Sequence, residues 1–187
     1  MPETSSVATA GAAAQAKFEV VIKGSIQDVW NEITRTDAPI LAFFNSRMHV
    51  SELAPGSRLA MRTPDGKYTA VVGKILECTP PTRFAHTFRF TGYDDPECSV
   101  IYDLKEVDGG VRFTLTIVDL PDGTKTAKQM ASGGRMIVNT MKSVIETGRP
   151  SFGIRLLYVV FKLTAPLTPK KCLSDNWPIN GTASRSS

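Results

Sequence analysis

Apolar residues recur at two different spacings along this chain, and the change between them marks its architecture. Lys17 to Lys23 alternates, with Phe18, Val20 and Ile22 on one face, which is the pattern of a half-buried strand. Ile26, Val29, Trp30 and Ile33 then follow at helical spacing behind Ser25, and Asp28 stands where a capping box places its acidic partner. A second short helix is predicted from Asp37 or Ala38 to Phe44, burying Ile40, Leu41, Phe43 and Phe44. From Arg47 onward the period returns to two. Arg47–Leu53, Ser57–Thr63, Lys67–Thr79, Arg83–Thr91, Ser99–Val107 and Val111–Asp119 read as strands. Pro64-Asp65-Gly66 and Asp108-Gly109-Gly110 mark tight hairpins. After Pro121-Asp122-Gly123 the spacing becomes three and four. Ala127, Met130, Ala131, Ile137, Val138, Met141, Val144 and Ile145 form one stripe on a helix from Gly123 to Glu146, which Gly148 and Pro150 end.

A run of strands followed by one long helix buries both apolar faces only if the sheet wraps the helix. The expected class is α+β, a curved antiparallel sheet around a long C-terminal helix, and such a sheet leaves space for a cavity against the helix. Phe84, Phe88 and Phe90 from one strand face and Met130, Ile137 and Met141 from the helix would supply its apolar walls. His86 lies among the phenylalanines, where it is either a hydrogen-bonding or acid–base group or a core histidine with a backbone partner. Tyr68 and Tyr102 are further polar candidates, and Asp119 either joins them or ends its strand. Gly134 falls on the buried stripe, where a glycine costs helix stability and so implies a close sheet contact or room for a ligand. Arg135 lies at the flank of the stripe and Asn139 beyond it. Met136 points away from the stripe, toward whatever the C-terminal residues form.

Composition narrows the possibilities. At 187 residues, with 42% hydrophobic and 21% charged, the chain suits one soluble domain with a sizeable core. Three cysteines without CxxC spacing fit a reducing cytoplasm, and two histidines are too few for a zinc set, so no metal or cofactor is expected. The net charge of +4 is concentrated after Arg149, where Arg149, Arg155, Lys162, Lys170, Lys171 and Arg185 face only Asp175. The body is therefore not basic, which argues against nucleic acid as a partner.

Local motifs sharpen the fold. The stretch Ser25-Ile26-Gln27-Asp28-Val29-Trp30 after a strand, the turn Leu53-Ala54-Pro55-Gly56-Ser57, Gly73-Lys74-Ile75-Leu76-Glu77 with Pro80-Pro81-Thr82-Arg83-Phe84, and Met141-Lys142-Ser143-Val144-Ile145-Glu146-Thr147-Gly148 occur in this order. Together they resemble the START-like SRPBCC superfamily, in the branch named after the activator of Hsp90 ATPase. The resemblance spans residues 17–148 and implies a helix-grip fold. It also implies one of three roles: binding of a small hydrophobic or amphipathic ligand, a co-chaperone-like interaction with Hsp90, or a cyclase or dehydratase reaction through His86. Three positions depart from the family pattern. Asp119 stands where members often carry His, Gly134-Arg135 where they often carry Gly-Trp, and Ser25 where Pro is usual.

Residues 1–16, rich in Ala, Ser and Thr, are expected to form a disordered tail. Residues 149–187 form an extension whose apolar run, Phe152 to Leu163, is too short to cross a bilayer and too apolar to stand free in water. It is expected to pack on the domain or on a second copy as a homodimer. The competing expectation is that its basic residues carry it to a membrane surface.

Overall fold

The fold is taken from a computed structural model that describes residues 15–179. Residues 1–14, most of the expected N-terminal tail, and residues 180–187 lie outside the described residues. Strand β1 (Ala16–Ile22) leads into helix α1 (Ile26–Thr34). Six strands follow: β2 (Arg47–Val50), β3 (Arg58–Arg62), β4 (Thr69–Thr79), β5 (Arg83–Phe90), β6 (Cys98–Val107) and β7 (Gly110–Val118). Helix α2 (Lys125–Thr147), helix α3 (Phe152–Thr164) and three short 3-10 turns complete the described chain. All neighbouring strands are antiparallel in one sheet of order β1-β7-β6-β5-β4-β3-β2. Consecutive hairpins generate this order from β2 to β7, and β1 closes the far edge on β7. Register shifts opposite Met61/Arg62 and at Ile75/Glu77 each put an extra residue in β4 and bend it, as bulges do.

The concave face carries the core. Cross-strand register sets Phe84 opposite Tyr102, His86 opposite Val100, Tyr102 opposite Leu115 and Leu104 opposite Phe113. All seven of these residues are buried. Helix α2 lies across the β1–β7 side of this face and buries Met130, Gly134, Val138, Met141 and Val144 against it. Ile137 is only half-buried, while Arg135 and Asn139 are exposed. The helix begins where the Thr124 side chain accepts from the Ala127 amide at 3.1 Å and the Asp95 carboxylate accepts from the Thr126 amide at 2.8 Å. It ends at Gly148, whose left-handed φ of 74° turns its N–H back onto the Val144 carbonyl. In α1 the capping box of Ser25 and Asp28 forms with both of its hydrogen bonds.

Gly134 is where helix and sheet meet without an intervening side chain. A Cβ there would lie 2.2 Å from the Phe18 ring, so the missing side chain admits Phe18 from β1 against the helix. Residues 37–45 depart from the sequence expectation, because they form a closed loop and not a helix. Ile40 bridges to Ser46, its amide donating to the Ser46 carbonyl at 2.8 Å, and Phe44 and Asn45 take left-handed backbone conformations that no helix contains. The loop is held from below by the buried Glu32, whose carboxylate accepts from the Leu41 amide at 3.1 Å and pairs with Arg35 at 3.2 Å. Burial raises the pKa of Glu32 against the opposing effects of Arg35 and of the Leu41 and Ala42 amides.

The chain beyond α3 returns to the sheet. Leu173 bridges to Tyr68, the Ser174 amide donates to the Lys67 carbonyl at 3.0 Å, and the Ser174 and Thr69 hydroxyls bond at 3.0 Å. Arg62 donates to the Trp177 carbonyl at 3.1 Å, and the Arg89 guanidinium lies 5.2 Å from the centre of the Trp177 ring.

Replacement of Gly134 by Ala is predicted to destabilise the fold by about 1–3 kcal/mol through overpacking against Phe18, although Ala is the better helix former. In a double-mutant cycle by urea unfolding, Phe18→Ala should relieve most of that cost. A stabilised single variant, or strict additivity of the two changes, would contradict the packing assigned to Gly134.

Candidate functional site

The alternation of β5 puts Phe84, His86, Phe88 and Phe90 in one row. The row runs from the closed interior toward an open end, since Phe84 and His86 are buried whereas Phe88 and Phe90 are half-buried. At the closed end the rings stack. Tyr102 lies 5.3 Å from Phe43, 6.1 Å from Phe84 and 6.1 Å from Phe113, at interplanar angles of 25°, 12° and 5°. His86 joins this group at 5.6 Å from Phe84 and 5.8 Å from Tyr102. At the open end Phe88 meets Phe90 edge to face at 4.8 Å, and Phe90 meets Tyr93 at 5.6 Å. Tyr93 connects this end to the first turns of α2, because Gln129 bonds its hydroxyl and the Lys125 ammonium lies 5.6 Å from its ring centre.

The polar chemistry of the row belongs to His86 and Tyr102. The Thr87 carbonyl, which can only accept, lies 2.7 Å from His86 Nδ1, so Nδ1 carries the proton and Nε2 is left as an acceptor. Burial pushes the His86 pKa down to about 4, with the bond to Thr87 opposing it, so the ring is neutral at neutral pH. Burial likewise raises the pKa of the Tyr102 hydroxyl, which stays protonated and able to donate. Among the described residues the Tyr102 hydroxyl has no hydrogen-bond partner and His86 has only the one at Nδ1. An acceptor and a donor thus share an otherwise aromatic interior, which is what orients a ligand with an apolar body and one hydroxyl. Cys98, across the ladder from Phe88, is buried, and its thiol pKa is pushed up to about 11, so it is a packing residue and not a nucleophile.

Not all the residues picked out from the sequence converge. Met130 and Met141 are buried in the same core, and Ile137 packs against it half-buried. The space beside Gly134 holds the Phe18 ring. Tyr68 is buried at the β3–β4 hairpin, where its backbone bridges to Leu173 in the C-terminal segment, and it takes no part in the ring contacts of the row. Asp119 is exposed at the end of β7 with a left-handed φ of 57°. Phe43, Phe113 and Tyr93 were not picked out as site residues, because their places depend on which strands and loops meet. Phe44 lies against α2, its ring 3.6 Å from where a Gly133 Cβ would be.

An open cleft of about 480 Å³ lies away from the row, on the β2–β3 edge, lined by Thr36, Met48, His49, Val50, Arg62, Pro178 and Ile179. Burial and the charges of Arg62 and Arg47 lower the His49 pKa there. Among the described residues no group of three or more His, Cys, Asp or Glu side chains is arranged to hold a metal ion.

Comparison with known proteins agrees with this architecture. The profile of the family described as activator of Hsp90 ATPase homolog 1-like protein matches residues 23–146, and the chain belongs to that family. No curated protein matches the chain by sequence. Among solved structures it is similar to MLL2253 from Mesorhizobium loti, at 14% identity and a TM-score of 0.59, over 71% of this chain and 97% of that one. It is similar to the Aha1 dimer from Colwellia psychrerythraea, at 15% identity and a TM-score of 0.57, over 72% and 98%. It is also similar to DynU16, a protein of the dynemicin biosynthetic locus, at 19% identity and a TM-score of 0.57. That match takes in 73% of this chain, which spans 48% of the length of DynU16. These identities speak for the fold alone.

The buried imidazole has a pH signature. The unfolded chain protonates His86 near its ordinary value of 6.5, the folded chain only near 4. The stability that comes from keeping the ring neutral is therefore whole above about pH 6.5 and is lost as pH falls through 4, a difference of roughly 3 kcal/mol. His86→Phe should flatten the unfolding free energy between pH 7 and pH 4 relative to wild type. An identical slope in the two proteins would place His86 in contact with water.

Proposed function

We propose that this protein binds a small hydrophobic or amphipathic molecule that enters between the open end of β5 and α2, with Phe88, Phe90 and Ile137 around its apolar body. His86 Nε2 and the Tyr102 hydroxyl would meet its polar end. The observation that carries this reading is the gradient along one strand: four side chains of the same face pass from full burial at Phe84 and His86 to half-burial at Phe88 and Phe90. Inward-facing aromatic residues that remain partly uncovered beside a helix are a common ligand surface. The aromatic walls favour a flat or long-chain apolar molecule, and the acceptor–donor pair favours a hydroxyl over a charged group.

Membership of the activator of Hsp90 ATPase homolog 1-like family supports a second reading, an interaction with Hsp90 through the protein surface. The two readings separate cleanly, since the second requires stimulation of Hsp90 ATP hydrolysis by the purified chain and is indifferent to Tyr102. A cyclase or dehydratase role is less well supported. A histidine with a pKa of about 4 is a weak base, and Asp119 is exposed at the end of β7.

A thermal-shift screen of long-chain alcohols, sterols and polycyclic phenols should find stabilising ligands. Tyr102→Phe should weaken the best of them roughly three- to tenfold, the worth of one hydrogen bond. Phe88→Arg, at the half-buried position, should abolish binding while the protein stays folded. A screen without any stabilising compound, or a best ligand indifferent to both changes, would refute the groove.

A further inference from the structure

Helix α3 leaves its apolar side uncovered. At about 100° per residue, Val159, Phe152, Leu163, Leu156 and Val160 fall within an arc of roughly 100°. All five point outward, with 52%, 79%, 73%, 56% and 45% of their surfaces exposed. Ile154, Leu157 and Tyr158, all half-buried, occupy the opposite side, which faces the domain, and Phe161 lies there 46% exposed. There the Tyr158 hydroxyl donates to the Leu41 carbonyl, and the Phe161 ring lies 6.4 Å from that of Phe44. The orientation of the helix is therefore fixed by its inner side, and the outer stripe is presented and not merely frayed. Beyond α3 the chain is tied down again at Leu173 and Ser174, so the helix is tethered at both ends.

The charge carried by this part of the chain is of one sign. Residues 147–174 contain Arg149, Arg155, Lys162, Lys170 and Lys171 and no Asp or Glu. Lys171 pairs with Asp94, and the other four make no ion pair among the described residues. Arg155 and Lys162 lie along the Val159 side of the stripe, at the edge and not within it. A 13-residue helix is about 20 Å long, and no helix of the described chain is long and apolar enough to cross a membrane.

We propose that α3 docks in the plane of an anionic bilayer surface, its stripe of Phe152, Leu156, Val159, Val160 and Leu163 sunk into the acyl boundary and Arg155 and Lys162 on the lipid phosphates and carboxylates. The one-sided charge selects this occupant over a second copy. Two such helices packed antiparallel about a twofold axis would bring their basic flanks to the same side, where they repel, while an anionic headgroup layer neutralises them. Docking does not depend on the groove of β5 and α2, so either proposal can fail alone.

Co-sedimentation of the full chain with phosphatidylcholine vesicles, with and without phosphatidylserine, tests it. Binding should require phosphatidylserine and weaken as salt rises. It should fall at least tenfold in Leu156→Ser with Leu163→Ser, and also in Arg155→Gln with Lys162→Gln. These positions are exposed, and an unchanged melting temperature would show that the variants are folded. Phe88→Arg, in the groove, should bind vesicles as wild type does. Absence of binding to phosphatidylserine vesicles would overturn the proposal, as would binding unaffected by both double variants. A stable dimer in light scattering that the leucine changes convert to monomer would also overturn it, by assigning the stripe to a second copy.

Discussion

The concave face of the seven-stranded sheet presents a continuous apolar surface from Met48 to Ile22, and it is α2 that covers the half of it nearest β1 and β7. The depth to which the helix settles is governed by Gly134. Because that residue has no side chain, Phe18 packs directly against the helix, and β1 and β7 are drawn under it. The rest of the molecule is arranged around this contact. With α2 committed to one side of the sheet, the opposite side, at β5, is covered by the loop at Phe43 and Phe44 and left partly open where Phe88 and Phe90 emerge. The local cost of Gly134, Gly133 and the left-handed Phe44 is met by tertiary packing, as is usual where a helix stability rule is broken.

This geometry gives the interior two kinds of environment. At the closed end, Tyr102 stacked among Phe43, Phe84 and Phe113 keeps its hydroxyl protonated, and the buried His86 is held neutral in a single tautomer by the Thr87 carbonyl. At the open end Phe88 and Phe90 are only half-buried, and Tyr93 is held by Gln129 and Lys125 of α2. The same Phe44 that lies against Gly133 also meets Phe161 of α3. Helix α3 is therefore one ring away from α2 at Gly133.

Most of the fold was legible from the sequence because it follows from local period. The alternation of Phe84, His86, Phe88 and Phe90 gave their common face, the stripe of Met130, Val138 and Met141 gave the buried side of α2, and Ser25, Asp28 and Gly148 gave the helix ends. What was not legible depends on distant partners. Ile40, Phe43 and Phe44 have helix-like spacing, but Glu32 and Ser46 fix the backbone of their loop otherwise. Tyr68 has the alternation of a strand residue, yet the bulge at Met61 and Arg62 and the return of Leu173 place it at the hairpin, away from the row. Gly134 announced a close approach without saying that Phe18 makes it, and the apolar run from Phe152 gave a helix without saying that only one side of it would be covered.

The central claim is that the partly open row on β5 is a ligand surface, and the most direct measurement is of intermolecular nuclear Overhauser effects. With uniformly carbon-13-labelled protein and an unlabelled long-chain alcohol, the account predicts contacts from the alkyl chain to the Phe88 and Phe90 rings and the Ile137 methyl groups, and from the carbinol protons to Tyr102. Contacts confined to Leu156, Val160 and Leu163 of α3, or none to the β5 row, would contradict it.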